Sequence, residues 1–330
     1  MHHANAIRVQ IQFIVLPNAS ATSPTRGACN EYGRWARIEW KFLFRGAAPP
    51  RGVYVNQSEA PCCPYHTRIN TAHCSSNLEA KPSLTQDKLF IVLPCYNAAI
   101  GVTVSSGLTT LTVARVSTAG VVDVSTTWTS ATAISMKTAA SLDGSYFYIG
   151  TAVGLKGVAY GAAGVTGVAI TTAAGSISTT EVVNNTLFAS TVTSPYGVSK
   201  MYTVPLPTTS SSDTVISKIM SGTNTVGANH LTHHFTDVMD LYTAASGLTG
   251  TIGLLQRYSL VGSTWTMYAN YPKSTIAYTD LLGAAQTAVG IKHMTGYRDS
   301  STGRYMLAAV AYGAGNNGAL LYVRAILPQT

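Results

Sequence analysis

Histidine and aspartate side chains are concentrated in one short segment of this chain, residues 230–240. His230, His233 and Asp237 could present imidazole and carboxylate ligands to zinc or another divalent ion. One imidazole could equally act as a general base near neutral pH, with the Asp orienting it, as in a hydrolase or lyase. The sequence favours a plainer interpretation, a polar loop before a strand whose Asp side chains hold a turn. The chain contains no HExxH motif that would decide for the metal.

Aromatic residues near predicted loops form a second candidate site. Stacked or coplanar aromatic rings provide an apolar platform against which a sugar ring can pack. We expect such a platform to hold a ligand only if its rings are exposed and are not buried between sheets. The candidates are Tyr196, Trp265, Tyr268, Tyr271 and Tyr297.

Other motifs that would indicate a cofactor or a nucleophile are missing from the sequence. All five Cys lie in the first 95 residues, and none forms a C-x2-C pair of the kind that binds zinc. No G-x-S-x-G elbow is present, and the Gly-rich segments lack the Lys-Ser/Thr of a phosphate loop. We therefore predict no confident catalytic residue, metal site or cofactor, and leave a divalent ion as a possibility.

The elements that would position these residues are short strands in a repeated pattern. An apolar and aromatic strand is followed by a turn of small residues and by a second strand that carries Tyr and Val. The second strands recur about 40 to 65 residues apart, a spacing typical of propeller blades. The pattern predicts an all-β fold, a β-propeller of four-stranded blades with about five blades visible. The first strands of its copies lie in residues 145–150, 185–189, 240–244 and 304–310.

Composition supports strands and excludes several classes of function. Of the 330 residues only 10% are charged, and the formal net charge of +8 is not gathered into a Lys/Arg run of the kind that nucleic-acid binding needs. No run of 18 apolar residues predicts a transmembrane helix. Residues 1–88 show no sustained period and are predicted to be irregular or poorly ordered, apart from a strand at 39–44. Residues 89–330 are predicted to form the propeller domain.

Several motifs in order resemble a family of secreted β-propellers found in bacteria, green algae and mosses. The segments Ala140–Tyr148 (ASLDGSYFY), Ala114–Asp123 (ARVSTAGVVD) and Arg257–Trp265 (RYSLVGSTW) are similar to three of its hairpins. The resemblance covers about residues 89–327. It implies six or seven blades in a complete member and an extracellular or cell-surface location, although residues 8–21 make a poor signal peptide. No agreed activity is attached to that family.

The sequence therefore favours a non-enzymatic extracellular module that binds a glycan or a protein, or that serves a structural role in a cell wall. A metal- or His/Asp-dependent hydrolase or lyase with its site in the propeller funnel is the alternative. The position of the histidines separates the two, because a catalytic site requires an imidazole and a carboxylate to converge where a substrate can reach them. The oligomeric state is left open.

Overall fold

A computed structural model describes most of the strands and the turns between them. The described residues are 9–15, 38–44, 81–97, 109–171, 175–191, 197–210, 217–218, 229–246, 255–271, 277–279, 285–287, 290–298, 305–312 and 318–325. They are strands and turns without a helix, which confirms the prediction of an all-β chain. In this part of the chain no helix has the length and apolarity needed to cross a membrane.

The first two strands form a separate hairpin. Strand β1 (Val9–Val15) pairs antiparallel with β2 (Ile38–Phe44), with Val9 opposite Phe44. Strand β2 contains the strand predicted at 39–44. Alternating apolar residues and the absence of Gly and Pro explain why both segments are extended.

Antiparallel sheets follow one another along the rest of the chain. The first contains β3 (Ser83–Leu84), β4 (Phe90–Tyr96), β5 (Thr110–Ser117) and β6 (Val122–Thr129). The second contains β7 (Met136–Ala140), β8 (Tyr146–Thr151), β9 (Gly154–Ala159) and β11 (Val168–Thr171), while β10 (Val165–Thr166) pairs with β6. The third contains β12 (Ile177–Val183), β13 (Thr186–Thr191), β14 (Gly197–Thr203) and β15 (Ser217–Lys218).

The remaining sheets repeat this meander. The fourth contains β16 (Asn229–Asp237), β17 (Asp240–Ser246), β18 (Leu255–Val261) and β19 (Thr264–Tyr271). A short pair, β20 (Ala277–Thr279) and β21 (Ala285–Thr287), precedes the fifth, which contains β22 (Gly290–Arg298), β23 (Tyr305–Tyr312) and β24 (Gly318–Ala325). Ser83 and Leu84 pair with β4 in the first sheet, and Lys81 forms an isolated bridge with Thr138 on β7 of the second.

The first strand of each sheet contacts the first strand of the next. Contacts run from β3 to β7, from β7 to β12, from β12 to β16 and from β16 to β22. Apolar cores fill the spaces between successive sheets. Trp128 and Phe147 lie in the core between the first and second sheets, and Phe235 and Trp265 lie in the core between the third and fourth. The first strands of successive sheets therefore lie next to one another.

The Ser-x-Asp-Gly motif at residues 141–144 forms a tight turn that docks on the first sheet. Ser141 Oγ accepts a hydrogen bond from the backbone N–H of Gly144 at 2.8 Å. Asp143 accepts from the N–H of Ser145 at 2.9 Å. Gly144 has a φ of +81°, and a Cβ atom there would come within 2.8 Å of the Phe90 ring. The motif is thus explained by backbone geometry and close packing.

Gly144→Ala is expected to lower the free energy of unfolding by about 2 kcal/mol, because the new methyl group meets both a left-handed backbone and Phe90. Gly120→Ala is the matched control: its φ is +79°, but no atom lies within 4 Å of the added Cβ. The control should therefore lose only about 1 kcal/mol, the cost of the backbone alone. Urea denaturation measures both values, and equal losses in the two variants would contradict a role for the Phe90 contact.

Candidate functional site

The predicted histidine cluster lies on β16, the first strand of the fourth sheet. The imidazole of His233 is only 2% exposed, and its Nδ1 lies 2.5 Å from Ser190 Oγ on β13. His230 is on the same strand, opposite Ala245, and its side chain lies outside the described residues. Strand β16 places His233 in the interior, where a substrate cannot reach it.

His234 forms the middle of a hydrogen-bonded chain that joins three sheets. Its Nδ1 lies 3.0 Å from Glu181 Oε1, and its Nε2 lies 2.7 Å from the Tyr305 hydroxyl. With Nδ1–H donating to the carboxylate, Nε2 accepts a hydrogen bond from the tyrosine. The second oxygen of Glu181 accepts the backbone N–H of Phe235 at 3.2 Å. This carboxylate–imidazole–hydroxyl chain fixes the third, fourth and fifth sheets relative to one another.

The charges around this chain are set by burial. Burial lowers the pKa of His233 to about 4, which makes the imidazole neutral at physiological pH. Burial alone would raise the pKa of Glu181, but His234 and His233 beside it hold that pKa below its usual value. Burial, with a smaller contribution from Lys137, lowers the pKa of Lys81 to about 7, and its Nζ donates to the carbonyl of Ser178 at 2.9 Å.

The two aspartates of the predicted cluster have structural roles. Asp237 is exposed at the β16–β17 turn, where its Oδ1 accepts the N–H of Met239 at 2.7 Å. Asp240 accepts hydrogen bonds from Arg257 at 3.0 Å and from Ser259 at 2.6 Å. Neither carboxylate has a described contact with a histidine. Asp237 thus holds a turn, as the plainer interpretation of the sequence had it.

The described side chains offer no catalytic centre at this position. Tyr305 is 4% exposed, so the end of the hydrogen-bonded chain that could transfer a proton is sealed. Within the described ranges, no group of three His, Cys, Asp or Glu side chains is arranged to hold a metal ion. The sequence did not indicate Glu181, Ser190 or Tyr305, because all three lie on other sheets than the histidines. Ser190 and Tyr305 are 43 and 71 residues away from their histidine partners along the chain.

A groove between the third and fourth sheets is the stronger candidate site. Its cavity volume is about 200 Å³, and it is open to solvent on one side. Phe235 packs against Phe188 at 4.4 Å between ring centroids and meets Trp265 edge-on at 5.8 Å. The side chains of Val183, Val238 and Leu260 complete the apolar lining. The apolar lining is typical of sites for small organic ligands, whereas the volume lies below their usual range of about 300–1,000 Å³, so the groove takes in only part of a ligand.

Polar groups lie on the wall that the third sheet contributes. Lys200 is exposed and, among the described residues, has no hydrogen-bond or ion-pair partner. Asn184 starts the two-residue β12–β13 turn, with a φ of +45°, and Asn185 follows at +59°. Gln86 from the first sheet clamps this turn: it donates to Asn185 at 2.9 Å and accepts the N–H of Asn185 at 2.7 Å. The groove therefore has one fixed wall and one available positive charge.

The predicted aromatic platform is only partly assembled. Trp265, Tyr268 and Tyr271 all lie on the outer strand β19. Trp265 is 8% exposed and belongs to the groove and its core, whereas the two tyrosines are exposed. Tyr268 covers the guanidinium of Arg257 at 4.8 Å. Tyr196 lies outside the described residues, as does the side chain of Tyr297 on β22. Trp265 thus faces a different environment from the two exposed tyrosines.

Comparison with known proteins finds likeness in structure only. No protein family and no curated protein matches the chain. A tail fibre of Staphylococcus aureus phage P68 has a TM-score of 0.38 and 14% identity over 78% of this chain and 51% of the fibre chain, so this chain spans about half its length. An auxiliary nutrient binding protein from Bacteroides thetaiotaomicron has a TM-score of 0.41 and 8% identity, covering 74% of this chain and 58% of that one. A chain of the mitotic checkpoint complex has a TM-score of 0.40 and 11% identity, covering 73% of each chain. Function must therefore come from the residues themselves.

Proposed function

We propose that this chain is a non-enzymatic extracellular binding module, built as a β-propeller of four-stranded blades, whose ligand occupies the groove between the third and fourth sheets. The observation that carries the proposal is the contrast between two sites. The groove is apolar, open and bordered by a free ammonium group, whereas His233 is buried and His234 is held on both ring nitrogens by Glu181 and Tyr305. An open aromatic groove favours binding, and a sealed imidazole disfavours catalysis.

The order of the sheets supports the propeller. Their first strands contact one another in chain order, as the inner strands of successive blades do. In addition, His293 on β22 lies beside the backbone of Pro82, so the last sheet is close to the segment that leads into the first. An experimental density map in which β22 packs against residues 81–84 would support a closed ring. A map in which the two are apart would contradict it.

An acidic sugar fits the groove, because it offers both an apolar ring face and a carboxylate. Aromatic side chains offer apolar surface to the C–H face of a sugar ring. The unpaired ammonium of Lys200 suits a carboxylate substituent, since a charge-assisted hydrogen bond is stronger than a neutral one. An acidic protein segment would offer the same two groups, and peptide ligands therefore form one arm of the test below.

Titration calorimetry with short uronic-acid oligosaccharides, neutral oligosaccharides of equal length and acidic peptides tests the site. Lys200→Gln is expected to weaken binding of the uronic-acid ligand about tenfold, which corresponds to one lost charged contact. Lys156→Gln on the second sheet is the matched control and should bind like the unchanged protein. Ligand should also change the tryptophan fluorescence of the parent protein, and Trp265→Phe should remove that change.

Two outcomes would count against this function, and a third would change only the class of ligand. Saturable binding of none of these ligands would overturn the groove as a binding site. Equal losses in Lys200→Gln and Lys156→Gln would show that binding depends on overall charge and not on the groove. Tight binding of acidic peptides alone would retain the site and replace the sugar by a protein ligand.

A further inference from the structure

The turn that joins β12 to β13 contains two asparagines whose side chains have different contacts. Asn184 and Asn185 are its two central residues, since Val183 pairs with Thr186 across it, and both have a positive φ, as in a type I′ hairpin. The carboxamide of Asn185 accepts a hydrogen bond from Gln86 at 2.9 Å. The carboxamide of Asn184 lines the groove, is exposed and, among the described residues, has no hydrogen-bond partner. Asn184 is therefore available to a ligand and Asn185 is not.

Contacts from the first and third sheets hold this turn in place. Gln86 accepts the N–H of Asn185 at 2.7 Å, and its own N–H donates to the carbonyl of Ser141 at 3.2 Å. On the other side of the turn, the N–H of Val204 donates to the carbonyl of Asn185 at 2.8 Å. The backbone that carries Asn184 is thus fixed before a ligand arrives, so a contact with this residue costs little ordering of the chain.

The size of the groove limits which part of a ligand can enter it. Its volume of about 200 Å³ lies below the range of about 300–1,000 Å³ that is usual for sites enclosing a whole small ligand. The side chains of Phe188, Phe235 and Leu260 in its lining are apolar and at least half buried, whereas Asn184 and Lys200 are exposed. A small apolar substituent of the ligand therefore fits inside, and polar groups of the ligand remain at the mouth beside these two residues.

Lys200 and Asn184 lie at different positions along the groove. Lys200 on β14 pairs with Phe188 on β13, whereas Asn184 lies in the turn that precedes β13. The two side chains therefore contact different parts of a ligand. Lys200 offers a positive charge to a carboxylate, and the Asn184 carboxamide offers N–H donors to a carbonyl oxygen.

We propose that Asn184 selects ligands that carry an acetamido group: the methyl of this group enters the apolar groove, and its carbonyl accepts a hydrogen bond from the Asn184 carboxamide. The inference rests on the proposed function, and it names a second feature of the same ligand. The methyl and the carbonyl of an acetamido group share one carbon atom, so a methyl inside the groove holds the carbonyl at the mouth. The ligand is then an acidic oligosaccharide with an acetamido group for Asn184 and a carboxylate for Lys200.

Titration calorimetry of the full chain tests the proposal with two uronic-acid disaccharides that differ only in an acetamido or a hydroxyl group at one ring position. The parent protein is expected to bind the acetamido form about tenfold more tightly, through one buried methyl and one hydrogen bond. Asn184→Gly should weaken binding of the acetamido form about fivefold and leave the hydroxyl form unchanged. Glycine suits the positive φ of this position, so the variant loses the carboxamide and keeps the turn.

Asn185→Gly is the matched control, because it makes the same change one residue later in the same turn and keeps the N–H that Gln86 accepts. It should retain the preference for the acetamido form, and urea denaturation checks that both variants fold. Equal binding of the two disaccharides by the parent protein would overturn this inference and leave the groove as a binding site. Equal effects of the two glycine variants would also overturn it, since the turn as a whole would then set the preference. If the parent protein binds neither disaccharide, the proposed function fails and this inference fails with it.

Discussion

Asp240→Asn is expected to lower the free energy of unfolding by about 3 kcal/mol, the cost of leaving a buried cation without its anion. Asp240 accepts hydrogen bonds from two nitrogens of Arg257, at 3.0 and 3.3 Å. The arginine side chain is only 6% exposed, and the aspartate side chain is 14% exposed. Water therefore cannot replace the lost negative charge, and the guanidinium would retain only a neutral amide oxygen and the Tyr268 ring.

Two controls separate the effect of charge from the effect of the altered side chain. Adding Arg257→Met to Asp240→Asn should restore at least about 1 kcal/mol, because no unpaired charge then remains buried. Asp123→Asn, in the more exposed pair with Arg115, should cost no more than about 1 kcal/mol. Guanidinium denaturation gives all three values. A double variant that is less stable than Asp240→Asn alone would show that burial of the charge is not the cause.

Local patterns in the sequence predicted the elements of the fold well. Apolar segments and small-residue turns indicated strands such as 145–150 and 185–189, which correspond to β8 and β13. Asp and Gly both favour hairpin turns, and Asp143 holds the turn that it forms with Gly144. These features depend on neighbours in the chain, so a single sequence contains the information that determines them.

The candidate site was less predictable because its contacts join distant segments. The sequence placed His233 and Asp237 together, since they are close in the chain, but the strand separates a buried imidazole from an exposed turn. Glu181 reaches the histidines from another sheet, and no local pattern indicates that contact. Similarly, Trp265 was grouped with Tyr268 by proximity in sequence, although one ring is buried and the other exposed. Inter-sheet packing decides these cases, and periodicity alone cannot supply it.

Acid should destabilise the protein by several kcal/mol because His233 is buried in its neutral form. Its pKa is about 4 in the folded state against an ordinary value of 6.5. Between these two pH values the unfolded chain binds a proton that the folded chain does not, so stability falls as the pH is lowered from 6.5 towards 4. The full window corresponds to about 3 kcal/mol for this one imidazole. His293, whose pKa burial lowers to about 3, adds to the same slope.

His233→Gln isolates the contribution of His233, since the amide can still meet Ser190 but does not titrate. Urea denaturation at a series of pH values from 6.5 to 4.5 should give a shallower loss of stability in the variant than in the parent protein, with a difference of about 3 kcal/mol expected over the complete window.

Lys81 and Glu181, the charged groups near His233, affect stability at pH values outside this window. Lys81 has a folded pKa of about 7 and an ordinary value of 10.5, so its effect lies above pH 7. The pKa of Glu181 lies below its ordinary 4.5, so its effect lies at lower pH. Identical slopes in the two proteins would mean that His233 is protonated as easily in the fold as in water, and that the buried network around it opens in acid without cost.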